Sequence, residues 1–319
     1  MNDLQNGKYT DYNQPWITFF TPTFNREKTL VRCYEAMKQM IIPRDKDGND
    51  IYFEWLIIDD GSQDNTRDMV GSWLKENKIP LRYIYQPNQG KHVATQKAIN
   101  ESRGTVFTTL DSDDIYIPET IKVFWESWCD IPESKRPLFR GVSCRCKEAN
   151  TGELMGNPLP RQPYYENTVD MRYRDHIKGE LGGFIRLDVL KEYPTPSVPE
   201  KLSFYPEAIV QYDMSEKYID SVIDVPLRIY YRDTNNALTA KTFNKSAENY
   251  HLWMYIVNNL FRKYLFKSPK EMLKGIVGMS MDGFRTKRKV RQILRDVKHP
   301  LCKVTVACFM PLGYVLSKK

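Results

Sequence analysis

The stretch TVFTTLDSDD, residues 105–114, joins an apolar run to three carboxylates. Its first six residues are mostly β-branched or aromatic, which predicts a buried strand. Asp111, Asp113 and Asp114 follow within four residues and repel one another unless a cation neutralises them. Mg²⁺ and Mn²⁺ prefer such oxygen ligands and commonly share them with substrate phosphates. The stretch therefore predicts a divalent-metal site at a strand end, with a solvated acidic turn that caps the next helix as the alternative.

Predicted strands and helices alternate upstream of this stretch. The strands are predicted at 16–21, 54–58 and 81–85, and the helices at about 26–41, 65–77 and 91–102. Asn25 is the candidate N-cap of the first helix. The inward face of that helix is predicted to comprise Leu30, Val31, Tyr34, Met37 and Ile41. This order predicts an α/β fold with a mainly parallel sheet flanked by helices.

Polar clusters follow the other predicted strands, and ligands of parallel sheets bind outside the carboxyl ends of the strands. Asp59 and Asp60 follow the second strand, where a carboxylate could accept the imide N–H of a uracil or the hydroxyls of a ribose. The alternative is an ordinary turn with Asp64 or Asn65 as the cap of the next helix. Lys91 follows the third strand and could meet a phosphate as a point charge, with a solvated lysine as the alternative.

The second half of the chain is less regular. Residues 130–175 are rich in Pro, Gly and Arg and predict irregular structure, whereas 184–232 carry further strand and helix signals. From about residue 244 the pattern becomes helical. One face of that helical region is predicted to hold Trp253, Ile256, Val257, Leu260 and Phe261.

Composition and charge exclude several classes of protein. The 319 residues are 41% hydrophobic and 13% aromatic, which argues against global disorder. Residues 285–319 hold ten Lys and Arg against the single acid Asp296, so 1–284 carries a net charge of −2 within the total of +7. The basic character therefore belongs to the tail, and with no aromatic-basic platform beside it a nucleic-acid partner is not expected.

The six cysteines have no metal-binding spacing, and the N-terminus has no apolar signal region. Both features predict reduced cysteines and a cytoplasmic setting.

The motifs taken together resemble the donor half of family 2 glycosyltransferases with the GT-A fold. The resemblance covers residues 16–118 and rests on TPTFNR at 21–26, EWLIIDDGSQDNT at 54–66, NQGKHVATQKAI at 88–99 and LDSDDIYIPETI at 110–121. Residues 179–240 resemble the acceptor half of the family more loosely. The resemblance implies a polar tail at 1–14, a GT-A catalytic domain at 15–240 whose halves divide near residue 120, and a helical, basic C-terminal region at 241–319.

The resemblance also implies roles for residues of the donor half. Thr21 and Asp60 would contact the donor base, usually uracil. Asp111 and Asp113 would bind Mn²⁺ or Mg²⁺, with Asp113 the more direct ligand, and Asp114 would orient the donor sugar. Further donor contacts are expected from Pro22, Asn25, Arg26, Asp59, Lys91 and Ser112. Many members carry an arginine where Thr95 stands here, so Lys91 and His92 are candidates for part of the diphosphate contact.

The family reaction is a direct displacement that inverts the anomeric carbon of a UDP-sugar or other nucleoside-diphosphate sugar. It needs a general base within hydrogen-bond reach of the acceptor hydroxyl. Glu207 is the first candidate, because it precedes a helical pattern whose N-terminus favours a charged carboxylate. Asp213 and Glu180 are the weaker candidates for the base, and Arg232 is a candidate for the diphosphate. The alternative for Glu207 is an acid that only caps the helix.

Two other functions compete with sugar transfer to a glycan or lipid-linked acceptor in the synthesis of a surface polysaccharide. A sugar-nucleotide nucleotidyltransferase would want a glycine-rich phosphate loop after the first strand, and 21–26 contains no glycine. A non-catalytic interaction protein on a transferase fold would not need the acidic pair Asp111 and Asp113.

The end of the chain suggests a membrane contact. The basic segment 285–298 precedes the mostly apolar stretch 301–316, which Lys303 and Pro311 interrupt. The stretch is predicted to be too short and too broken to span a bilayer, but it suits shallow insertion at the inner face of a membrane. The alternative is that 301–316 packs on the rest of the protein.

Overall fold

Four parallel strands form the part of the sheet that positions the polar clusters. In the computed structural model, which describes residues 15–196, 202, 204–232 and 245–318, these are β1 (Ile17–Thr23), β2 (Phe53–Asp59), β3 (Leu81–Tyr85) and β4 (Val106–Thr109). Their spatial order is β3-β2-β1-β4, and every neighbouring pair is parallel. The strands alternate with helices α1 (Leu30–Met37), α2 (Thr66–Glu76) and α3 (Lys91–Glu101). The predicted β-α order of the first half is therefore confirmed.

The second part of the sheet is mixed. Its strands are β5 (Ile115–Tyr116), β6 (Phe139–Glu148), β7 (Tyr164–Glu166), β8 (Leu181–Arg186) and β9 (Ile219–Tyr230). The sheet continues from β4 in the order β8-β6-β9-β5, and β7 also pairs with β9. Only β6 and β9 are parallel to each other; the other pairs in this part are antiparallel. The mainly parallel character thus holds for the first half, and the complete sheet is mixed.

Strand β6 corrects the prediction that 130–175 is irregular. This ten-residue strand lies between β8 and β9, and its arginines are buried. Arg140 donates to both carboxylate oxygens of Asp220, with Nη2 at 2.6 Å from Oδ2, and Arg145 Nη1 lies 3.1 Å from Asp224 Oδ1. A buried arginine is tolerated when a carboxylate pairs with it. The sequence pattern looked irregular because these partners lie in a distant strand.

The described chain forms two compact units, and each is described by itself. Unit 1 comprises 15–167, 177–196 and 214–232, and unit 2 comprises 168–176, 202, 204–213 and 245–318. Helices α4 (Thr120–Cys129) and α6 (Leu187–Glu192) belong to unit 1. The division of the chain at residues 14, 120 and 240 stays a prediction.

The core of unit 1 lies between the sheet and α1, α2 and α4. Trp55 of β2 and Trp73 of α2 stack with Tyr34 of α1, and the Tyr34 and Trp73 ring centroids are 4.3 Å apart. The predicted face of α1 is right for Leu30, Tyr34 and Met37, which are buried. It is wrong for Val31 and Ile41, which are exposed, because the helix ends at Met37 and its buried stripe runs through Cys33 instead.

Unit 2 is helical in its C-terminal part. Its helices are α5 (Thr168–Tyr173), α7 (Glu207–Met214, whose last residue falls in unit 1), α8 (Ser246–Tyr255), α9 (Phe261–Tyr264), α10 (Pro269–Arg285), α11 (Val290–Asp296) and α12 (Pro300–Ser317), with a π-helical turn at Ile256–Leu260. The predicted face is confirmed, since Ile256, Val257, Leu260 and Phe261 are buried in one core and Trp253 packs against it.

Helix α12 corrects the prediction of a broken apolar stretch. It runs unbroken for 18 residues through both Lys303 and Pro311. Among the described residues it is the one helix whose length and composition would allow it to cross a membrane, and 22% of it is buried. It also packs against the core of unit 2 through Cys302, Val306 and Met310, which was the alternative to a membrane contact.

Candidate functional site

Four polar segments meet at the carboxyl ends of the parallel strands of unit 1. Asn25 N, after β1, donates to Ser62 Oγ after β2 at 2.9 Å. Arg26 Nε donates to Ser112 Oγ after β4 at 3.2 Å. Lys91 Nζ, at the start of α3, lies 2.9 Å from Asp111 Oδ1. The segments 21–26, 59–66, 88–92 and 111–114, predicted separately, are therefore neighbours on one rim of the sheet.

Arg228 of β9 holds the acidic turn from the other side. Its Nη2 lies 2.6 Å from Asp111 Oδ2 and 2.5 Å from Asp114 Oδ2, and its Nε donates to the same Asp114 oxygen at 2.9 Å. Tyr231 N completes the set with a bond of 2.9 Å to Asp114 Oδ1. The Arg228 side chain is 6% exposed and that of Asp114 is 1% exposed, so this ion pair is buried.

The surroundings move the pKa values of the two acids in opposite directions. Burial raises the pKa of Asp114 to about 6, although the charge of Arg228 and the Tyr231 N–H oppose that rise. Burial also acts on Asp111, but Lys91 and Arg228 outweigh it and hold the pKa of Asp111 well below its usual range. Both carboxylates are therefore ionised at neutral pH. The pKa of Arg228 is lowered by burial but raised more strongly by Asp111 and Asp114, so it stays protonated.

The protein itself supplies cations to this turn. Besides Lys91 and Arg228, Arg26 contacts Ser112, and Arg32 Nη1 donates to the backbone oxygen of Asp113 at 3.2 Å. The Arg32 guanidinium also lies 3.6 Å from the centre of the Tyr231 ring. Arginine and lysine side chains therefore supply cations to the three carboxylates, and the metal site at Asp111 and Asp113 stays a prediction.

Asp59 and Asp60 are both buried and bonded within the protein. Asp59 accepts hydrogen bonds from Ser62 N at 2.8 Å and from the Tyr83 hydroxyl at 2.6 Å. Asp60 accepts from three donors of the next loop: Gln86 Nε2 at 2.7 Å, Gln89 N at 2.9 Å and Gly90 N at 2.8 Å. A carboxylate has about four acceptor positions, so Asp60 retains little capacity for a ligand. Its evident role is to hold the loop at 86–90, directly before Lys91.

Residues 21–25 comprise the end of β1 and the start of the loop that follows it. Thr21 is buried, and its hydroxyl accepts a hydrogen bond from Trp55 Nε1 at 2.9 Å. Thr23 is also buried, and its hydroxyl has no hydrogen-bond partner among the described residues. Asn25 is not the N-cap of α1: Thr29 holds that position, while Asn25 has a φ of 53° and accepts from Gln63 N at 2.8 Å. Pro22 is half-buried between these two threonines.

The cap predicted for α2 is also different. Asn65 occupies the N-cap position without a side-chain cap bond. Asp64 instead accepts from Thr66 N at 3.0 Å and from Glu27 N at 3.1 Å, so it links α2 to the segment after β1.

The carboxylates of the turn could hold a metal ion only if other ligands complete its coordination. Among the described residues, no group of three or more His, Cys, Asp or Glu side chains could hold a metal. Mg²⁺ is usually bound by one or two carboxylates and completes its coordination with phosphates and water. The pair Asp111 and Asp113 suits that arrangement, but both oxygens of Asp111 also contact cations. The donor set therefore fits an ion shared with a bound diphosphate, and not a site built from protein ligands alone.

Two candidates for the catalytic base, Glu207 and Asp213, belong to unit 2, and the third, Glu180, belongs to unit 1. Glu207 is exposed at the first turn of α7, so its helix-terminal position is as expected. Asp213, in the same helix, accepts from the Tyr255 hydroxyl at 2.7 Å, and this contact lies within unit 2. Glu180 is exposed directly before β8, and Arg232 is exposed directly after Tyr231. None of these positions tests the predicted roles.

The sequence analysis missed Arg228, although the strand itself carries a signal. Arg228 follows the fully buried Leu227 within the strand IDSVIDVPLRIY at 219–230. A charged residue inside a buried strand requires a paired charge, so it is a candidate for a site. The partners could not be identified from the sequence, because they lie 114 and 117 positions away.

The first part of the chain is similar to known glycosyltransferases. Residues 18–135 match the family model described as Glycosyl transferase family 2. Chondroitin synthase from Escherichia coli is 32% identical over 110 residues, which are 34% of this chain and 15% of that protein. An uncharacterized glycosyltransferase from Rickettsia conorii matches 35% of this chain at 31% identity, so the chain spans about a sixth of the length of these relatives.

Two further similarities extend over most of the chain. The putative teichuronic acid biosynthesis glycosyltransferase TuaG of Bacillus subtilis is 21% identical, covering 78% of this chain and 92% of that protein. The crystal structure of S. aureus TarS in complex with UDP-GlcNAc superposes with a TM-score of 0.61 at 15% identity, covering 95% of this chain and 90% of the TarS chain. At that identity the superposition shows the fold alone. Residues 18–135 are therefore similar to glycosyl transferase family 2, and the chain has the mixed α/β GT-A fold of TarS.

Proposed function

We propose that the protein transfers a sugar from a nucleoside-diphosphate donor to a glycan or lipid-linked acceptor in the synthesis of a surface polysaccharide. One observation carries the proposal: Lys91, Arg228 and the acidic turn 111–114 meet at the carboxyl ends of the strands in the part of the chain that matches the family. A UDP-sugar is the proposed donor class, since the structurally similar TarS binds UDP-GlcNAc. The similarity to TuaG supports an acceptor of the surface-polysaccharide type.

The rim suits a bound diphosphate. Four cationic side chains, Arg26, Arg32, Lys91 and Arg228, contact a turn that carries three carboxylates. These four cations balance the three carboxylates of the turn, so the turn itself does not repel an anion. Lys91 is the proposed diphosphate ligand, because its side chain is 23% exposed and is flexible enough to turn from Asp111 to a phosphate oxygen.

Arg228 is the proposed positioning residue of the turn. Its planar guanidinium bonds Asp111 and Asp114 together, so it sets the spacing of the two carboxylates before a donor binds. Asp114 would then orient the donor sugar through the arrangement of the turn. The loop held by Asp60 would position Lys91 in the same way, since Gly90 N is one of the donors to that carboxylate.

A divalent ion, Mn²⁺ or Mg²⁺, shared by Asp111, Asp113 and the diphosphate would supply charge neutralisation as the diphosphate leaves. The remaining chemistry is a single displacement with inversion. The acceptor oxygen forms the new bond to the anomeric carbon, the bond from that carbon to the phosphate oxygen breaks, and the nucleoside diphosphate leaves. The acceptor proton passes to a carboxylate, for which Glu207 is the first candidate because it lies at a helix N-terminus.

The proposal is tested by a screen of nucleotide sugars for thermal stabilisation, with and without Mn²⁺. A ligand that binds only the folded protein raises the melting temperature by mass action. The stabilising sugar nucleotide should then release its nucleoside diphosphate when an acceptor extract is added. Lys91→Met should weaken the stabilisation, whereas Lys97→Met, in the same helix α3, should not. Stabilisation by no nucleotide sugar would refute sugar transfer, and donor binding without any hydrolysis or transfer would favour a non-catalytic role.

A further inference from the structure

Helix α12 has two apolar faces. One packs into unit 2 through Cys302, Val306 and Met310. The opposite side, called here the outer face of α12, is exposed and consists of Leu301, Val304, Cys308, Pro311, Leu312 and Val315. Val304 is 62% exposed, and the whole outer face carries no charge. Helices at the surface of a globular protein normally place charged residues on that side. An exposed apolar face of this length indicates a partner.

A strongly basic segment precedes α12 in the chain. The segment 285–298 carries seven Lys and Arg against one acid and leads directly into α12. The exposed members of this basic segment are Arg285, Lys287, Lys289, Arg291, Arg295 and Lys298. Arg285 contacts α12 itself, since its Nη2 donates to Leu316 O at 3.3 Å.

Helix α12 adds side chains that suit a boundary between water and lipid. Lys303 and Lys318 are exposed, and Lys318 Nζ lies 4.9 Å from the centre of the Tyr314 ring. Lysine and tyrosine side chains have apolar bodies and polar tips, so they can reach from an apolar layer into water.

Charge distinguishes the possible partners. A second copy of this chain would bring two strongly basic segments together, and like charges across an interface disfavour association. An anionic lipid surface attracts the same residues, and each basic residue near such a surface strengthens binding by about fivefold. The combination of an apolar face with a basic segment therefore favours an anionic membrane over self-association.

The packing of α12 favours an orientation along the membrane plane and not across it. Gly313 approaches α10 so closely that an added Cβ would lie 2.5 Å from Ser280 Cβ. A helix that crossed a bilayer alone would have to leave α10 and remove Cys302, Val306 and Met310 from the core of unit 2. We propose that α12 lies along an anionic lipid surface, with its outer face inserted at the headgroup boundary and the basic segment 285–298 against the lipid phosphates. The inference goes beyond sugar transfer, since no step of that reaction depends on it.

The test is flotation of the full-length protein with vesicles of phosphatidylcholine, with or without phosphatidylglycerol. We expect binding to the vesicles that contain phosphatidylglycerol, weakened by high salt because screening reduces the attraction. Lys287→Gln, Lys289→Gln and Arg291→Gln combined should lower binding by roughly 100-fold at about fivefold per charge. Val304→Ser with Leu312→Ser should lower it without changing the charge.

Matched controls separate this surface from the rest of the protein. Lys46, Lys75 and Lys135 are exposed in unit 1, so changing all three to Gln removes the same charge elsewhere. Val31→Ser with Ile41→Ser removes exposed apolar side chains of unit 1. Neither control should reduce flotation. Truncation after Thr286 is not a suitable test, because Ile293, Cys302 and Val306 belong to the core of unit 2.

Four results would contradict the inference. The first is no flotation with phosphatidylglycerol at low salt, and the second is equal loss of flotation in the controls. The third is a change of oligomeric state, instead of flotation, in the Val304→Ser and Leu312→Ser variant, which would make the outer face a protein interface. Association that resists alkaline carbonate extraction would contradict the orientation along the surface.

Discussion

Replacement of Arg228 tests the central geometry of the rim. Arg228→Met keeps much of the side-chain volume but removes the charge that pairs with Asp111 and Asp114. Removing one partner of a buried ion pair leaves an uncompensated charge and typically costs about 3–5 kcal/mol. Asp114 is almost fully buried, so most of that cost should appear in the free energy of unfolding. Arg228→Lys should cost less, because it keeps a charge but cannot bond both carboxylates at once.

The stability difference between Arg228→Met and the wild type should depend on pH. Burial already raises the pKa of Asp114 from 3.8 to about 6, and loss of Arg228 removes a charge that opposes the rise. An acid whose pKa is raised in the folded state binds its proton there more tightly than in the unfolded chain. The variant should therefore gain stability, relative to wild type, as the pH falls from neutral to about 6, and below that both proteins carry a protonated Asp114 and change in parallel. The deficit of Arg228→Met should be largest at neutral pH and above.

The assay is urea unfolding followed by tryptophan fluorescence at several pH values, together with calorimetry of UDP binding. Arg140→Met is the matched control, because Arg140 forms a similar buried pair with Asp220 at the other end of β6 and β9, away from the rim. Both variants should lose stability, but only Arg228→Met should also weaken UDP binding. A loss of under about 1 kcal/mol for Arg228→Met at neutral pH would refute the buried-pair reasoning. Equal effects of the two variants on UDP binding would refute the positioning role.

Three further predictions concern the acids. Asp113→Asn should abolish the extra stabilisation that Mn²⁺ gives with UDP; the same Mn²⁺ effect in the variant and the wild type would contradict a metal role. Asp60→Asn should weaken UDP binding only together with stability, by about 1.5–3 kcal/mol for charged hydrogen bonds lost within the loop; weaker UDP binding at unchanged stability would instead indicate direct contact with the donor. Glu207→Gln should lower turnover by roughly 10²–10⁴ with donor affinity nearly unchanged, and survival of turnover in that variant, with loss in Asp213→Asn or Glu180→Gln, would identify a different base.

Local pattern was sufficient for much of the first half. The strand at 81–85 begins and ends at the predicted residues, and α3 begins at the predicted Lys91. Runs of apolar residues and helical spacing express the burial of neighbours in the chain, so they can be detected without a structure. Local pattern failed where a side chain served a distant partner. Asparagine is a residue type that often caps helices, but the Asn25 side chain accepts a hydrogen bond from Gln63 N and its φ is positive.

At the acidic turn, too, some features could be predicted from local sequence and others depended on a distant residue. The location of the turn after a buried strand was evident from 105–114, and so was its place among the polar clusters of the parallel strands. The charge balance of the turn could not be predicted from the sequence. Three neighbouring carboxylates give the same sequence pattern whether a metal ion or an arginine neutralises them. Arg228 lies more than a hundred positions from the turn, and only the pairing of β9 with β5 and β6 brings it there.

The sequence by itself determined the alternation of strands and helices, the common edge of the polar clusters and the family resemblance, because each depends on neighbouring residues or on the rule that parallel strands end together. The tertiary structure alone decided which partners satisfy the buried charges and which face of α12 stays exposed. Such pairings join residues that are remote in the chain, and the physical requirement that a buried charge be neutralised does not specify which residue will do so.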